Sequence, residues 1–305
     1  MNPSATPSLP ALRLTQFRTL LQREWMQHGR GWLIVCGVPL IMILLSLSFG
    51  GVQMNGNESP SVVALLMLGG YTLAVTLLGW VSVAFQASSL ARRDHQDRSI
   101  EFWRSLPVSD WASVGATVLM SFLLMPLMVL GIASVSAILV ALLVVARLFG
   151  VGAVLDLPWQ ALGLAVAVGL PRLILGVVLA SLWAAPLLLL GMAASAWLKR
   201  WGLPALALVL GVGGVILDKA YGFPWLLEVV RQQSTNFVTA MIPGTRRDGA
   251  FETQPFPGGQ LDKLPGWLIH DGLSALGDLA SPMFLLALAV SVASFTLLVY
   301  KRRAN

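Results

Sequence analysis

Residues Gly31–Gly51 read GWLIVCGVPLIMILLSLSFGG and carry no charged side chain. At about 1.5 Å per helical residue, a run of this length matches the roughly 30 Å hydrocarbon core of a bilayer. Lipid offers a backbone no hydrogen bonds, so such a run is stable there as a helix that satisfies its own amides. The pattern recurs on either side of long charge clusters: Val62 to Gln86, Trp111–Ala146, Trp159–Leu198, Leu203–Ile216 and Pro282–Tyr300 are further apolar runs. Over its 305 residues the chain is 56% hydrophobic and 11% charged, which excludes a soluble enzyme, a disordered chain and a disulfide scaffold. The sequence predicts an all-α polytopic membrane protein with six transmembrane helices. The run from Trp111 is interrupted by Pro126 and Gly131, the run from Trp159 by Pro171, Arg172 and Pro186. Each is longer than one span requires. One long or bent helix apiece gives six spans; two short ones apiece give eight.

Lys and Arg stay preferentially on the cytoplasmic side of a membrane, which makes charge a topological signal. Residues 1–30, 88–110, 199–200 and 301–305 hold 13 of the 20 basic residues and 5 of the 14 acidic ones. The remaining loops hold 6 basic and 9 acidic residues, with Arg172 left near a membrane boundary. Both termini are therefore expected in the cytoplasm, and the net charge of +6 reflects orientation, not a nucleic-acid partner. The 30-residue lead is too long and too polar for a signal peptide. The chain divides into a cytoplasmic amphipathic segment, 1–30, and a transmembrane domain, 31–305, which includes a charged inner segment, 88–110, and an extracytoplasmic segment, 218–281.

In the lead, Leu14, Phe17, Leu21 and Trp25 recur at helical spacing while Arg13, Gln16, Arg23 and Glu24 take other directions. This reads as an interfacial helix with its apolar stripe in the headgroup boundary and its arginines toward membrane lipid; the alternative is a plain overhang of the first span. The inner segment, SSLARRDHQDRSIEFWRSLPVSDW, has helical composition from Leu90 to Leu106, a stop at Pro107 and an N-cap for the next span at Ser109. Outside, Tyr221 to Leu227 suits one surface helix, Trp267 to Leu279 a second surface or re-entrant helix, and Pro243 to Leu264 an irregular loop.

Chemistry is sparse. No GxxxxGK[ST] loop is present to cradle a nucleotide, and GVGG at Gly211–Gly214 lacks the lysine and hydroxyl that chemistry needs. Without a HExxH motif, and with His28, His95 and His270 in separate segments and Cys36 alone, no metal cluster is expected. Asp271 beside His270 and near Ser274 is a weak hydrolase signal. Arg172 is the one charge inside an apolar run, placed near the outer boundary where a long side chain snorkels. Gly69, Gly70, Gly79, Gly115, Gly191, Ala193 and Ala194 offer close helix contacts or a dimer face.

The chain resembles the membrane permease subunit of bacterial ABC-2-type transporters. The likeness rests on an amphipathic lead, six spans, inside termini, an enlarged segment before the last span, and DRSIEFWRSLPVSD at Asp97–Asp110, similar to a charged segment ending in an LPxS-like turn. The resemblance implies a permease without catalytic site or cofactor of its own. ATP and Mg would sit on separate cytoplasmic ATPase subunits, and a second permease subunit would complete a homo- or heterodimer in the bacterial inner membrane, with a further extracytoplasmic protein possible. It implies a cytoplasmic coupling helix docked into the ATPase through Asp94, Asp97, Arg98, Ile100, Glu101, Phe102, Trp103, Arg104 and Leu106, with Pro107 and Ser109 as its turn, moving spans one, two and five. The alternatives are a membrane assembly factor and an ATP-independent channel or secondary transporter.

Overall fold

The computed structural model describes residues 9–50, 59–90, 109–245 and 263–304. All regular structure among them is helical. The elements are α1 (Leu9–Phe49), α2 (Pro60–Leu66), α3 (Thr72–Leu90), α4 (Asp110–Leu119), α5 (Met125–Phe149), α6 (Val151–Leu155), α7 (Trp159–Leu198), α8 (Gly202–Ala207), α9 (Gly214–Tyr221), α10 (Trp225–Met241), α11 (Leu264–Gly277) and α12 (Pro282–Ala304). The π-helical turns Met67–Tyr71, Met120–Leu124 and Leu208–Gly213 join α2 to α3, α4 to α5 and α8 to α9. Five helical stretches are long and apolar enough to cross a membrane: Thr15–Phe49, Pro60–Ala87, Asp110–Phe149, Trp159–Tyr221 and Pro282–Arg303. The chain is thus a multi-pass membrane protein of the all-α class.

The lead is not a separate helix. From Leu9 onward it is the first part of α1, which runs 41 residues to Phe49. Nothing between residues 25 and 32 stops it: Gly29 and Gly31 each cost about 1 kcal/mol relative to alanine, far less than an internal proline removes. The lead and the first apolar run are one continuous helix.

Pro126 falls where π-helical Met120–Leu124 has just widened the turn. A proline withholds the N–H that would bond the carbonyl four residues back, here Phe122. The Ser181 hydroxyl of α7 lies 2.7 Å from that carbonyl and equally close to the Val177 carbonyl of its own helix, so its one proton is shared between them and a neighbouring helix contributes to the missing donor. Pro171 and Pro186 are likewise accommodated inside α7, whose bounds coincide with the apolar run and which continues through both.

The stretch Trp159–Tyr221 contains a reversal. At Lys199 the backbone takes φ 53° and ψ −125°, the turn Lys199–Trp201 is 3₁₀, and α8 then packs back along α7. The crossing is so close that a Cβ on Gly202 would lie 2.4 Å from Ser195 Cα. Only glycine fits.

α7 is the axis of the bundle, packed against α3, α8, α10, α11 and α12, while α5 packs against α1, α2 and α3. The core lies along these two rods, with Val129, Val140, Val145, Val177 and Trp183 buried. α1 is peripheral, with Leu33, Ile34, Ile41 and Met42 exposed, an apolar face that lipid tolerates and water does not. Of the expected small contacts, Gly79 lies against Val129 and Gly191 against Leu203, whereas a Cβ on Gly69 or Gly70 would meet nothing within 4 Å among the described residues.

Candidate functional site

A bundle of apolar helices is distinguished by the charges it buries, because each must be compensated. Two charged clusters are buried among the described residues.

The first surrounds Arg172. It lies on α7, nearer the Trp159 end, and its side chain is 3% exposed. Nε donates to Asp271 Oδ2 at 2.7 Å, and Nη1 to the Ala240 carbonyl at 2.9 Å. Nη2 approaches Asp271 Oδ2 at 2.6 Å, a close ionic contact without hydrogen-bond alignment. Asp271 Oδ1 accepts the Gly244 amide at 2.9 Å. One ion pair therefore ties α7, the end of α10, the turn after it and α11. The approach is shaped by glycines: a Cβ on Gly176 would lie 2.7 Å from the Ala240 oxygen, and one on Gly272 would lie 3.3 Å from Arg172 Cδ.

This corrects the snorkelling expectation for Arg172. An acid on a helix folded back from the segment after α9 reaches it, so the guanidinium is paired inside the protein instead of turning to the surface. The same pair removes the hydrolase signal. The Asp271 carboxylate is committed to Arg172 and Gly244, and the Ser274 hydroxyl donates to the Asp271 backbone carbonyl at 2.9 Å.

The second cluster joins α1 to α4. Glu24 is 1% exposed; its Oε1 accepts the Thr117 hydroxyl at 3.1 Å and pairs with Arg23, while His28 Nδ1 lies 4.0 Å from Oε2. Arg23 is buried too, so both residues expected on the polar side of the lead face the bundle. The reason is register: Glu24 falls three residues after Leu21 and seven after Phe17, on the apolar stripe itself. That spacing was the available signal.

Of the residues assigned to coupling, Asp94, Asp97, Arg98, Ile100, Glu101, Phe102, Trp103, Arg104, Leu106 and Pro107 lie outside the described residues. Ser109 is described and caps α4 as expected, its hydroxyl accepting from the Ala112 amide at 3.2 Å. The next residue, Asp110, receives Arg302 at 3.3 Å and Arg303 at 3.7 Å from the end of α12. A carboxylate in the first turn and arginines in a last turn each complement a helix dipole. Close by, Lys301 Nζ stands 4.9 Å from the Trp197 ring centroid near the end of α7. The starts and ends expected on one side of the membrane thus meet at one end of the bundle.

Comparison of the chain with protein-family models, curated proteins and solved structures finds no match in any of the three.

Proposed function

We propose that this chain is the membrane-spanning permease subunit of an ATP-driven ABC-2-type exporter. The observation that carries the reading is the double attachment of α4. The charged segment 88–110 leads into its Ser109 cap; Asp110 binds the C-terminal arginines of α12, and two turns on Thr117 binds Glu24 of α1. A push on that segment from a cytoplasmic motor would reach two other spans through buried or ion-paired contacts. α1 and α12 are the spans so attached, which shifts the expected response from spans one, two and five toward the first and last.

In this reading the reversal at Lys199 makes six crossings, with α4–α5 and α7 each a single pass. Both termini and the Lys199 turn face the cytoplasm of a bacterial cell, and ATP and Mg are handled by separate ATPase subunits. A second permease subunit completes the assembly. α10 and α11 lie toward the outer side, where a further partner can bind. The Arg172–Asp271 pair is the one observation that favours the ion-coupled transporter instead, since buried charges mark ion pathways.

The deciding experiment is mild-detergent purification from the native membrane with mass spectrometry of stoichiometric partners. An ATPase in equal copy number is expected, and replacing Phe102 and Trp103 by alanine is expected to weaken its association while leaving membrane insertion intact. Reproducible absence of an ATPase from an intact complex, or ion-driven flux without ATP, overturns the proposal. Accessibility tags at residues 5, 95, 200 and 304 are expected inside and tags near 56, 153 and 250 outside; a cytoplasmic tag at 153 returns the eight-span arrangement.

A further inference from the structure

We propose that the junction of α7 and α12, at the Lys199 reversal, is a headgroup site for an anionic phospholipid. Residues from two helices converge there. α7 and the turn after it deliver Trp197, Lys199, Arg200 and Trp201, all exposed, and α12 packs along α7 to bring Lys301 onto the Trp197 ring at 4.9 Å. Arg200 stands 5.8 Å from the centroid of Trp201.

The cations fall into two sets. Arg302 and Arg303 are bound to Asp110. Among the described residues, Lys199, Arg200 and Lys301 have no carboxylate within 4 Å, and neither α7 nor α8 contributes an acidic residue nearby. Three cations without acids favour a ligand that brings its own negative charge.

Lys199 adds an independent indication. Its φ of 53° is the one positive value outside glycine among the described residues. A glycine would meet this backbone without strain, and strained side chains concentrate where the side chain has work to do.

The surroundings favour a lipid over a soluble anion or an acidic protein. Tryptophan rings seat at the headgroup level of a bilayer, and Trp197 and Trp201 flank the cations. Beyond Trp201, Leu208, Val212, Val215 and Ile216 are exposed at helical spacing along one side of the returning arm, an apolar strip on which an acyl chain can lie. Head charge, aromatic collar and apolar strip follow one another in the order of a phospholipid. The proposal rests on membrane embedding and on this junction; it stands or falls separately from the ATPase reading.

The full chain, reconstituted in nanodiscs of phosphatidylcholine with or without phosphatidylglycerol, would be released into mild detergent and examined by native mass spectrometry. Retained phosphatidylglycerol is expected in preference to phosphatidylcholine. Each basic residue near an anionic lipid contributes a factor of about five in affinity, so K199Q/R200Q/K301Q is expected to lose roughly 100-fold, and each single variant about fivefold. Lys219→Gln, an exposed cation paired with Asp218, is expected to lose nothing. Lys199→Gly separates binding from structure, because it relieves the backbone: melting temperature in detergent is expected to rise while lipid retention falls. Equal retention of the two lipids, an equal loss from Lys219→Gln, displacement by inorganic phosphate at matched concentration, or recovery of an acidic protein on this surface in place of lipid each overturns the proposal.

Discussion

Removing either side of the Arg172–Asp271 pair tests whether it acts as a buried clasp. Exposures of 3% and 18% place both charges where water screens little. Breaking one side of a buried pair typically costs about 3–5 kcal/mol, most of it the stranded partner. Asp271→Asn keeps an acceptor for the Gly244 amide but leaves the guanidinium with the Ala240 carbonyl alone, so the lower part of that range, about 3 kcal/mol, is expected. Arg172→Met strands a carboxylate that retains some solvent and is expected to cost a similar amount. The double variant Arg172→Met/Asp271→Leu strands no charge. Replacing a whole buried pair by apolar groups is neutral or stabilising by about 1–4 kcal/mol, offset here by two freed backbone groups at about 1–3 kcal/mol each. The double variant is therefore expected near either single one, well short of their sum. Melting in nanodiscs, at on the order of 2 °C per kcal/mol for a chain of this size, gives losses of roughly 6 °C for each single variant. Two small losses, each under about 1 kcal/mol and additive in the double variant, would refute the clasp.

Three further outcomes follow from groups elsewhere in the bundle. Gln233 of α10 is 3% exposed and its Oε1 has no partner among the described residues; Gln233→Met removes that acceptor and is expected to raise stability by about 1 kcal/mol in the same melting assay. Ser181→Ala withdraws the donor from the Phe122 carbonyl beneath Pro126 and is expected to cost about 1–3 kcal/mol, a loss that Pro126→Ala should partly restore by returning an amide donor. Gly202→Ala places a methyl 2.4 Å from Ser195 Cα; the two arms must separate, and a loss of about 3 kcal/mol or failure to purify as a single species is expected, readable by size-exclusion chromatography.

The apolar helices were legible because hydropathy and length act locally. Trp159–Leu198 is one helix with the bounds its apolar run gave, and Ser109 caps α4 because a hydroxyl before a helix start has few other uses. The fate of the lead was less legible: amphipathicity identifies a face but not what covers it, and a helix without a breaker continues into the next run whatever its first residues contact. Arg172 shows the same limit for charge. Sequence position put it near a boundary, yet its partner is Asp271, 99 residues away along the chain, and no local rule joins them. The available hint was chemical, a lone cation in α7 and a lone acid in an apolar segment that had to be compensated somewhere.

The two buried clusters differ in what they can transmit. Arg172 and Asp271 connect α7 to the end of α10, the turn after it and α11, so their pairing makes one unit of α10, α11 and the axial rod. Glu24 and Thr117 connect α1 to α4 within two turns of the segment that leads in from the basic end, and Asp110 connects the same helix to α12. On the coupling proposed above, a force arriving at Ser109 would meet α1 and α12, which present much of their surface outward, before it met α7, which carries the core. α1, with its exposed apolar face, can shift without opening a cavity, whereas moving α7, or α12 whose Phe284 ring lies 5.4 Å from that of Trp183, would disrupt Val177, Trp183 and the packing around them. In that reading the compliant element stands next to the input and the rigid ones behind it, and motion begun at the basic end can reach α7 and its Arg172 clasp through α12, packed along it, or directly through the Ser181 contact with the Phe122 carbonyl.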